Sequence, residues 1–369
     1  MYQLVLLPLV NWDVVHGVGK IHSFIHSYGT LFGCHFSYSA LHTYIHDRGN
    51  RLLWDYNVNQ DDEIYAAYRC VRDAGVTIFD TADSYGTFDL NGRSEQLLGE
   101  FERCYLNEKS SNSNLLDNLF SSNSNQQQVA TKFAPYPWRI FRNSMMNAAK
   151  ASLERLQQDK LEIAQLHWST ANYQPFQERT LWDGIADVYD ANLCQAIGVS
   201  NYGPQQLQSI SQYMNQQRHV PIATAQIQYS LMTYQDAQYM NQVCDDLNVR
   251  LISYSPLCLG LLTGKYNLDN LPKRGPRKQL FRELLPSAQP LLQTLHAIAN
   301  EYDKSCSQIA INWTLAKGTV PIPGARTLQQ AQQNINSLSF ALSKDAIDEL
   351  DRQALSLSKP MIQNIFQTK

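Results

Sequence analysis

Short apolar runs alternate with amphipathic segments along the chain from Asp61 onward. Runs rich in β-branched and aromatic residues predict strands, and segments with an apolar residue every three or four positions predict helices. This alternation is typical of repeated βα units that build a parallel sheet. The predicted strands are 76–80, 128–132, 162–167, 196–200, 224–229, 250–254 and 319–323, and the predicted helices are 61–74, 94–104, 141–156, 178–192, 204–216, 234–247 and 286–317, the last broken near 301–305.

Five of the apolar runs end on polar residues that carry chemistry. They are Asp80, Lys132, His167, Ser200 with Asn201, and Tyr254. Because the parallel strands of an α/β barrel end around one mouth, we expect these side chains to share a pocket. Seven strands are predicted where a closed barrel needs eight, so the eighth has to come from residues 1–48. The pattern therefore predicts a (β/α)8 barrel whose first strand it does not define.

Two segments depart from the alternation. Residues 1–48 show no regular period and hold six of the nine histidines: His16, His22, His26, His35, His42 and His46. Their irregular spacing favours a divergent extension over a metal site, which is the minor alternative. Residues 107–128 are rich in Ser, Asn and Gln and bury too little apolar surface to order themselves, so they predict a surface insertion opposite the mouth. The predicted domains are an extension over 1–48 and a barrel over 49–369 containing that insertion.

Charge and cysteine usage narrow the classes of partner and compartment. A formal net charge of −3 provides no basic field for nucleic acid or an acidic membrane surface. No apolar stretch reaches the roughly 18 residues of a membrane span, and Met1 to Val10 lack the basic flank of a secretory signal. Seven scattered cysteines without CxxC pairs indicate reduced thiols, as in the cytoplasm or a plastid. We expect a small-molecule partner, no metal, and leave the oligomeric state open.

Six motifs in order then resemble those of one family. The segment 75–86, Gly-Val-Thr-Ile-Phe-Asp-Thr-Ala-Asp-Ser-Tyr-Gly, strongly resembles the second-strand motif of the aldo-keto reductases. The others are Ala-Thr-Lys-Phe at 130–133, Gln-Leu-His-Trp at 165–168, Gly-Val-Ser-Asn-Tyr at 198–202, Ala-Gln-Ile-Gln-Tyr at 225–229 and Ser-Tyr-Ser-Pro-Leu at 253–257. The resemblance, closest to plant and cyanobacterial members, runs from about Gly49 to the C-terminal helix. It implies a (β/α)8 barrel that uses NADPH to reduce aldehydes or ketones.

The residue types suit carbonyl reduction. The reaction needs an acid that is protonated near neutral pH, and tyrosine, with a pKa of about 10, is one. We expect a cationic Lys132 to lower the pKa of Tyr85 and Asp80 to hold the lysine, while His167 orients the substrate oxygen. By resemblance these four are the catalytic residues, with Tyr85 as the proton donor. Singly, each also fits a surface ion pair or interior packing, but the ordered set on neighbouring strand ends favours catalysis.

The predicted cofactor site has a nicotinamide end and a phosphate end. A nicotinamide needs an aromatic face, which Tyr254 can supply, and partners for its amide. A helix N-terminus beside Arg326 suits the 2′-phosphate of NADPH, although a solvated helix cap is the alternative for this arginine. Gly324 stands where the family often has lysine, so the preference for NADPH depends mainly on Arg326. The remaining predicted cofactor-binding residues are Ser200, Asn201, Gln226, Ser255, Leu257, Lys265, Gln330 and Asn334.

The segment 256–290 is longer than an ordinary connection, which predicts a functional loop. Besides Lys265 it carries Lys273, Arg274, Arg277 and Lys278, which either fold over a pyrophosphate or form a solvated charge run. The chain has no Gly-x-Gly-x-x-Gly fingerprint, so a Rossmann dinucleotide site is not supported.

One departure from the family pattern leaves two functions open. Related reductases usually have a Gly-Thr-Trp sequence on the first strand, whereas this chain has Tyr-Ile-His-Asp-Arg at 44–48. The first strand is therefore expected to be altered or absent, through either authentic divergence or an incorrect gene model. A catalytically slow subunit that senses NADPH, like the barrel subunits of some potassium channels, is the alternative to an active reductase. The intact set of Asp80, Tyr85, Lys132 and His167 favours the enzyme.

Overall fold

The computed structural model describes residues 34–35, 61–86, 91–112, 127–273, 275–361 and 367–368. Its strands are β1 (Cys34–His35), β2 (Ile78–Asp80), β3 (Gln128–Phe133), β4 (Leu161–Leu166), β5 (Cys194–Ser200), β6 (Ile222–Gln228), β7 (Arg250–Tyr254) and β8 (Val320–Ile322). They form one eight-stranded sheet in chain order, and each consecutive pair is parallel. The predicted (β/α)8 barrel is confirmed.

The seven predicted strands are all present, with ends that shift by at most two residues. The eighth strand comes from the N-terminal segment, as the strand count required. It consists of Cys34 and His35, which pair with Phe79 and Asp80 of β2. The rest of 1–48, with the other five histidines of the weighed metal site, lies outside the described residues. The prediction that 1–48 is a separate extension stays a prediction.

Ten α-helices lie in the part of the chain that the structure describes. They are α1 (Asp61–Asp73), α2 (Arg93–Asn112), α3 (Asn143–Leu156), α4 (Pro175–Asp190), α5 (Pro204–Tyr213), α6 (Tyr234–Asp246), α7 (Pro276–Glu301), α8 (Cys306–Ala316), α9 (Leu328–Asn336) and α10 (Lys344–Leu355). A π-helical turn, Met214–Arg218, extends α5, and a 3-10 segment, Cys258–Thr263, follows β7. Across the described residues no helix is long and apolar enough to cross a membrane.

The predicted helix 286–317 is correct in its break but wrong in its start. The break separates α7 from α8, where the Ser305 side chain caps the α8 N-terminus. Helix α7 begins ten residues earlier than predicted, at Pro276, because a proline in the first turn costs no needed N–H and one face buries Phe281 and Leu285. The interpretation of 256–290 as one loop is therefore wrong, and Arg277 lies in the first turn of α7.

The boundaries of the predicted insertion at 107–128 also move inward. Helix α2 continues to Asn112, past the predicted helix end at Cys104, and Tyr105 just beyond that end is buried. At the other end Gln127 is buried, and its backbone N–H donates to Glu102 at 3.1 Å. Residues 113–126 lie outside the described part of the chain, and their role as a surface insertion stays a prediction.

Strands β5 and β6 approach closely inside the barrel wall. A Cβ on Gly198 would lie 2.1 Å from Thr224 Oγ1, which no side chain tolerates, so glycine is required at this position. The pairing register shifts between Ile197 and Gly198 at the same place. Beyond this close contact Ser200, the last residue of β5, pairs with Gln226 of β6 near the mouth.

Candidate active site

A buried ion pair lies at the ends of β2 and β3. The Lys132 Nζ donates to Asp80 Oδ2 and also to the Thr81 carbonyl at 2.8 Å. Lys132 is 1% exposed and Asp80 is 2% exposed. Burial lowers the pKa of Lys132, and the charge of Asp80 opposes this effect. Each buried charge is stabilised by the other. Removing either one alone therefore leaves an uncompensated charge in the interior, which is strongly destabilising.

Two amides complete the surroundings of Asp80. Gln226 Nε2 donates to Asp80 Oδ1 at 2.8 Å, and Gln165 Nε2 donates to the same oxygen at 3.2 Å. Both glutamines are fully buried. Gln226 was predicted as a partner of the nicotinamide amide, but in this structure its Nε2 is committed to Asp80. Gln165 escaped the sequence analysis, although it sits two residues before His167 on β4 and therefore faces the same side.

Tyr85 lies beside Lys132, as predicted. The Lys132 Nζ is 5.0 Å from the centre of the Tyr85 ring, and the rings of Tyr85 and His167 meet edge to face with centres 5.5 Å apart. The expected lowering of the Tyr85 pKa is wrong for this arrangement. Burial raises the pKa of Tyr85 well above its usual value, and the nearby Asp80 charge raises it further. Desolvation of the phenolate outweighs a lysine that is itself neutralised by Asp80.

The turn that carries Tyr85 is fixed from both sides. The Asp83 N–H donates to the Lys132 carbonyl at 2.9 Å, and Asp83 Oδ1 accepts from the Ala134 N–H at 3.1 Å. Arg139 Nη1 donates to Asp83 Oδ2 at 2.6 Å. These bonds tie the turn to β3 and to the segment after it. The phenol of Tyr85 is thereby held at a defined place in the mouth.

His167 follows directly after β4 and is half-buried. Its Nδ1 lies 3.2 Å from the hydroxyl of buried Ser84. When Ser84 donates to Nδ1, the neutral ring carries its proton on Nε2 and presents a donor there. The backbone carbonyl of His167 accepts from Asn201 Nδ2 at 3.0 Å. His167 is thus coupled to the end of β5.

The predicted nicotinamide partners Ser200, Asn201 and Tyr254 come together. Asn201 adopts φ 59°, a left-handed conformation that asparagine tolerates, and it turns the chain away from β5. Its Oδ1 accepts from the Tyr254 hydroxyl at 2.8 Å, and its Nδ2 donates to Ser200 Oγ at 3.2 Å. Tyr254 is half-buried. Both amide hydrogens of Asn201 are thus used within the protein, by the His167 carbonyl and by Ser200 Oγ.

The segment after β7 has an unusual backbone. Ser255, Cys258 and Leu259 have φ angles of 52°, 48° and 56°, and Gly260 has φ 97°. Each non-glycine residue in this region costs roughly 1–3 kcal/mol, and such residues cluster at ligand sites. Ser255 and Leu257, both predicted to bind cofactor, belong to this segment and are half-buried.

The predicted phosphate end is assembled at the N-terminus of α9. Thr327 caps the helix by accepting from the Gln330 N–H at 3.2 Å, and Gln330 Oε1 accepts from the Arg326 N–H at 2.8 Å. Buried Asn334 donates through Nδ2 to the Gly324 carbonyl at 3.3 Å. Partial desolvation lowers the pKa of Arg326, and the charge of Arg277 lowers it further. An anion bound between these two arginines would relieve their repulsion.

Arg277 is a stronger phosphate candidate than the sequence indicated. From the first turn of α7 its Nη2 donates to the Tyr266 hydroxyl at 3.1 Å. Lys265, predicted to bind cofactor, is exposed, and its Nζ lies 5.6 Å from the centre of the Tyr266 ring. The contacts of Tyr266 thus bring Lys265 and Arg277 to one ring. The sequence pattern predicts a helix start at Pro286 and so places Arg277 in a loop. In the structure Arg277 lies in the first helical turn, where its side chain contacts Tyr266.

Aromatic side chains line the segments after β3 and β4; Trp138 and Tyr173 are exposed, and Tyr136 and Trp168 are half-buried. The rings of Tyr136 and Trp138 stack with centres 4.7 Å apart and an angle of 8°. Across from them Trp168 Nε1 donates to the Tyr173 hydroxyl at 2.8 Å, and that hydroxyl lies 3.4 Å from the Pro135 carbonyl. Both segments leave the barrel at the mouth, so the four rings form an aromatic rim beside His167.

Among the described residues, no group of three or more His, Cys, Asp or Glu side chains could hold a metal ion.

Comparison with known proteins identifies the relatives of this chain. Residues 49–354 match the Aldo/keto reductase family. A chloroplastic pyridoxal reductase of Arabidopsis thaliana is 48% identical over 322 residues, which cover 87% of this chain and 84% of that protein.

Two solved structures share the fold. An aldo-keto reductase of Klebsiella pneumoniae in complex with NADPH has a TM-score of 0.59 at 20% identity, with 90% of this chain and 94% of that one covered. A Bombyx mori aldo-keto reductase in complex with NADP gives a TM-score of 0.59 at 19% identity, with 88% of each chain covered.

Proposed function

Because the chain belongs to the aldo/keto reductase family, we propose that it is an NADPH-dependent reductase of aldehydes or ketones, with Tyr85 as the proton donor. The observation that carries the proposal is the contact of the buried Asp80–Lys132 pair with the ring of Tyr85, beside His167. An assay of NADPH oxidation with a panel of aldehydes tests it. Tight NADPH binding without turnover would instead favour the sensing subunit.

Each part that the protein plays in the reaction can be assigned to a particular residue. NADPH supplies the hydride to the carbonyl carbon when it is bound. Tyr85 holds a proton for the oxygen, because burial keeps the phenol protonated. His167 can donate to the same oxygen through Nε2 and so orient it. As negative charge develops on the oxygen, the Lys132 cation 5.0 Å from the tyrosine ring favours release of the phenolic proton.

The cofactor would be held at the places where the structure gathers suitable groups. Tyr254 would face the nicotinamide, with Ser200 and Asn201 at its amide. The strained segment after β7 would follow the pyrophosphate, and Arg326 with Arg277 would meet the 2′-phosphate. The solved structures with NADPH and NADP support this choice of cofactor.

Within the carbonyl compounds, we propose a planar aromatic aldehyde of the pyridoxal type. The Arabidopsis relative is named a pyridoxal reductase, and the match covers 87% of this chain. The aromatic rim of Tyr136, Trp138, Trp168 and Tyr173 agrees with this choice, since flat rings bind well between aromatic faces. Of the two compartments that the cysteines allow, the name of this relative favours the plastid.

The raised pKa of Tyr85 predicts the pH dependence of the reaction. A proton donor must be protonated, and its protonated fraction falls only as the pH rises through its pKa. We therefore expect kcat/KM for reduction to show no alkaline decline from tyrosine ionisation below about pH 10, the ordinary tyrosine value. Initial rates across the range in which the protein stays folded provide the check. A decline centred well below that pH would contradict the assignment of Tyr85 as a buried, protonated donor.

Arg326 predicts the choice between the two nicotinamide cofactors. Charge-assisted bonds to a 2′-phosphate contribute roughly 1.5–3 kcal/mol, so we expect NADPH to bind about 10- to 100-fold more tightly than NADH. Arg326→Ala should remove most of this difference and leave NADH affinity nearly unchanged. Fluorescence titration with both cofactors measures the two dissociation constants.

The control for this change is Arg103→Ala. Arg103 lies on α2 and donates to Gln157 on an exposed surface, so its loss should alter neither affinity. Arg277→Ala should also weaken NADPH selectively. Equal binding of NADPH and NADH by the unaltered protein would exclude a phosphate-specific role for Arg326.

A further inference from the structure

One buried carboxylate accepts an unusual number of hydrogen bonds. Glu178, near the start of α4, is 6% exposed and accepts six of them. The donors to Oε1 are Ser169 Oγ (2.8 Å), Gln206 Nε2 (2.8 Å), Tyr202 OH (3.1 Å) and Trp182 Nε1 (3.2 Å), and those to Oε2 are the Thr170 N–H (2.6 Å) and Thr170 Oγ1 (2.7 Å). A carboxylate is well suited to this arrangement because its two oxygens act only as acceptors.

The positions of the donors connect Glu178 to both halves of the site. Ser169 and Thr170 follow His167 by two and three residues, so Glu178 fixes the chain just beyond the histidine. Tyr202 follows Asn201 directly. The Asn201 amide in turn donates to the His167 carbonyl at 3.0 Å. Glu178, the His167 segment and the Asn201 segment therefore form a closed ring of contacts across the ends of β4 and β5.

We propose that Glu178 is a positioning residue, which sets His167 against Asn201 so that the substrate oxygen and the nicotinamide side of the pocket are aligned. The inference rests on the reductase activity proposed above. It adds that Glu178, although outside the pocket, controls kcat through the segments that follow β4 and β5. Misplacement of reacting groups by about 1 Å can reduce rates about 100-fold, so loosening this ring is expected to act on kcat.

The test compares Glu178→Gln with a matched carboxylate elsewhere in the fold. Glu102 on α2 is also buried and accepts from Tyr68, Arg72 and the Gln127 N–H, but it lies between helices and the start of β3, away from the mouth. Glu102→Gln is therefore expected to lower the melting temperature and to leave kcat within about twofold. Glu178→Gln should lower kcat about 100-fold and change the NADPH dissociation constant by only a few-fold.

A conservative variant and two smaller changes complete the experiment. Glu178→Asp keeps the charge on a shorter side chain and should restore part of kcat. If Glu178→Gln does not fold, Thr170→Val and Tyr202→Phe each remove one donor and should each lower kcat by about three- to tenfold.

The possible outcomes separate the two proposals. Normal kcat in Glu178→Gln, or in both smaller variants, overturns the inference while the activity of the parent protein still stands. An equal loss of kcat in Glu102→Gln also overturns it, since any buried carboxylate would then have the same effect. Absence of turnover in the parent overturns the reductase proposal and this inference with it.

Discussion

Tyr85→Phe is expected to lower carbonyl reduction by roughly 10²- to 10⁴-fold, the range typical of lost general acid catalysis. The change removes only the phenolic oxygen, so the ring keeps its contacts with Lys132 and His167. NADPH affinity should stay within a few-fold of the parent, because the predicted cofactor contacts lie at the ends of β5 and β7, in the segment after β7 and around the N-terminus of α9. Steady-state kinetics and fluorescence titration of the same preparations measure both effects.

Tyr105→Phe is the matched control for this prediction. Tyr105 is also buried, and its hydroxyl donates to Asp73 at 3.1 Å, at the C-terminal end of α1, which leads into the start of β2 and not to the strand ends. Its loss should leave the rate of reduction unchanged. If Tyr85→Phe reduces an aldehyde as fast as the parent does, the proton must come from His167 or from water, and the assignment of Tyr85 is wrong.

Lys132→Met is expected to reduce both stability and activity strongly. It leaves Asp80 buried without its cation, and breaking a buried ion pair from one side costs roughly 3–5 kcal/mol of unfolding free energy. Activity should also fall sharply, because no cation remains beside Tyr85 to favour proton release. Urea unfolding measures the stability, and NADPH oxidation measures the rate.

A double variant separates the two effects of that change. Lys132→Met combined with Asp80→Asn removes both charges and still lets the side chain at position 80 accept from Gln165 and Gln226. We expect it to regain much of the lost stability and none of the lost activity. A single Lys132→Met variant as stable as the parent would show that the pair is not held as buried charges.

The sequence was sufficient to predict the barrel and the convergence of its strand ends. Apolar runs with polar ends located Asp80, Lys132, His167 and Tyr254 because periodicity depends only on local sequence, and parallel strands must then end together. The first strand escaped prediction because only Cys34 and His35 pair with β2, too short a run for any period.

Other features depend on three-dimensional packing that no local pattern encodes. The direction of the Tyr85 pKa shift follows from burial, which the residue types alone did not reveal. Arg277 was placed in a loop because Pro286 looked like a helix start, yet Pro286 lies inside α7. No local sequence pattern indicates the role of Glu178, because the donors to its carboxylate come from separate segments of the chain, including Ser169, Tyr202 and Gln206.

The account is tested most directly by supplying the unaltered protein with NADPH and pyridoxal and measuring both NADPH oxidation and the alcohol product. We expect one alcohol formed for each NADPH consumed, at a rate that saturates with pyridoxal and is much lower when NADH replaces NADPH. NADPH that binds tightly, yet is not oxidised in the presence of pyridoxal or of any other aldehyde in a broad panel, would contradict the assignment of this barrel as a carbonyl reductase.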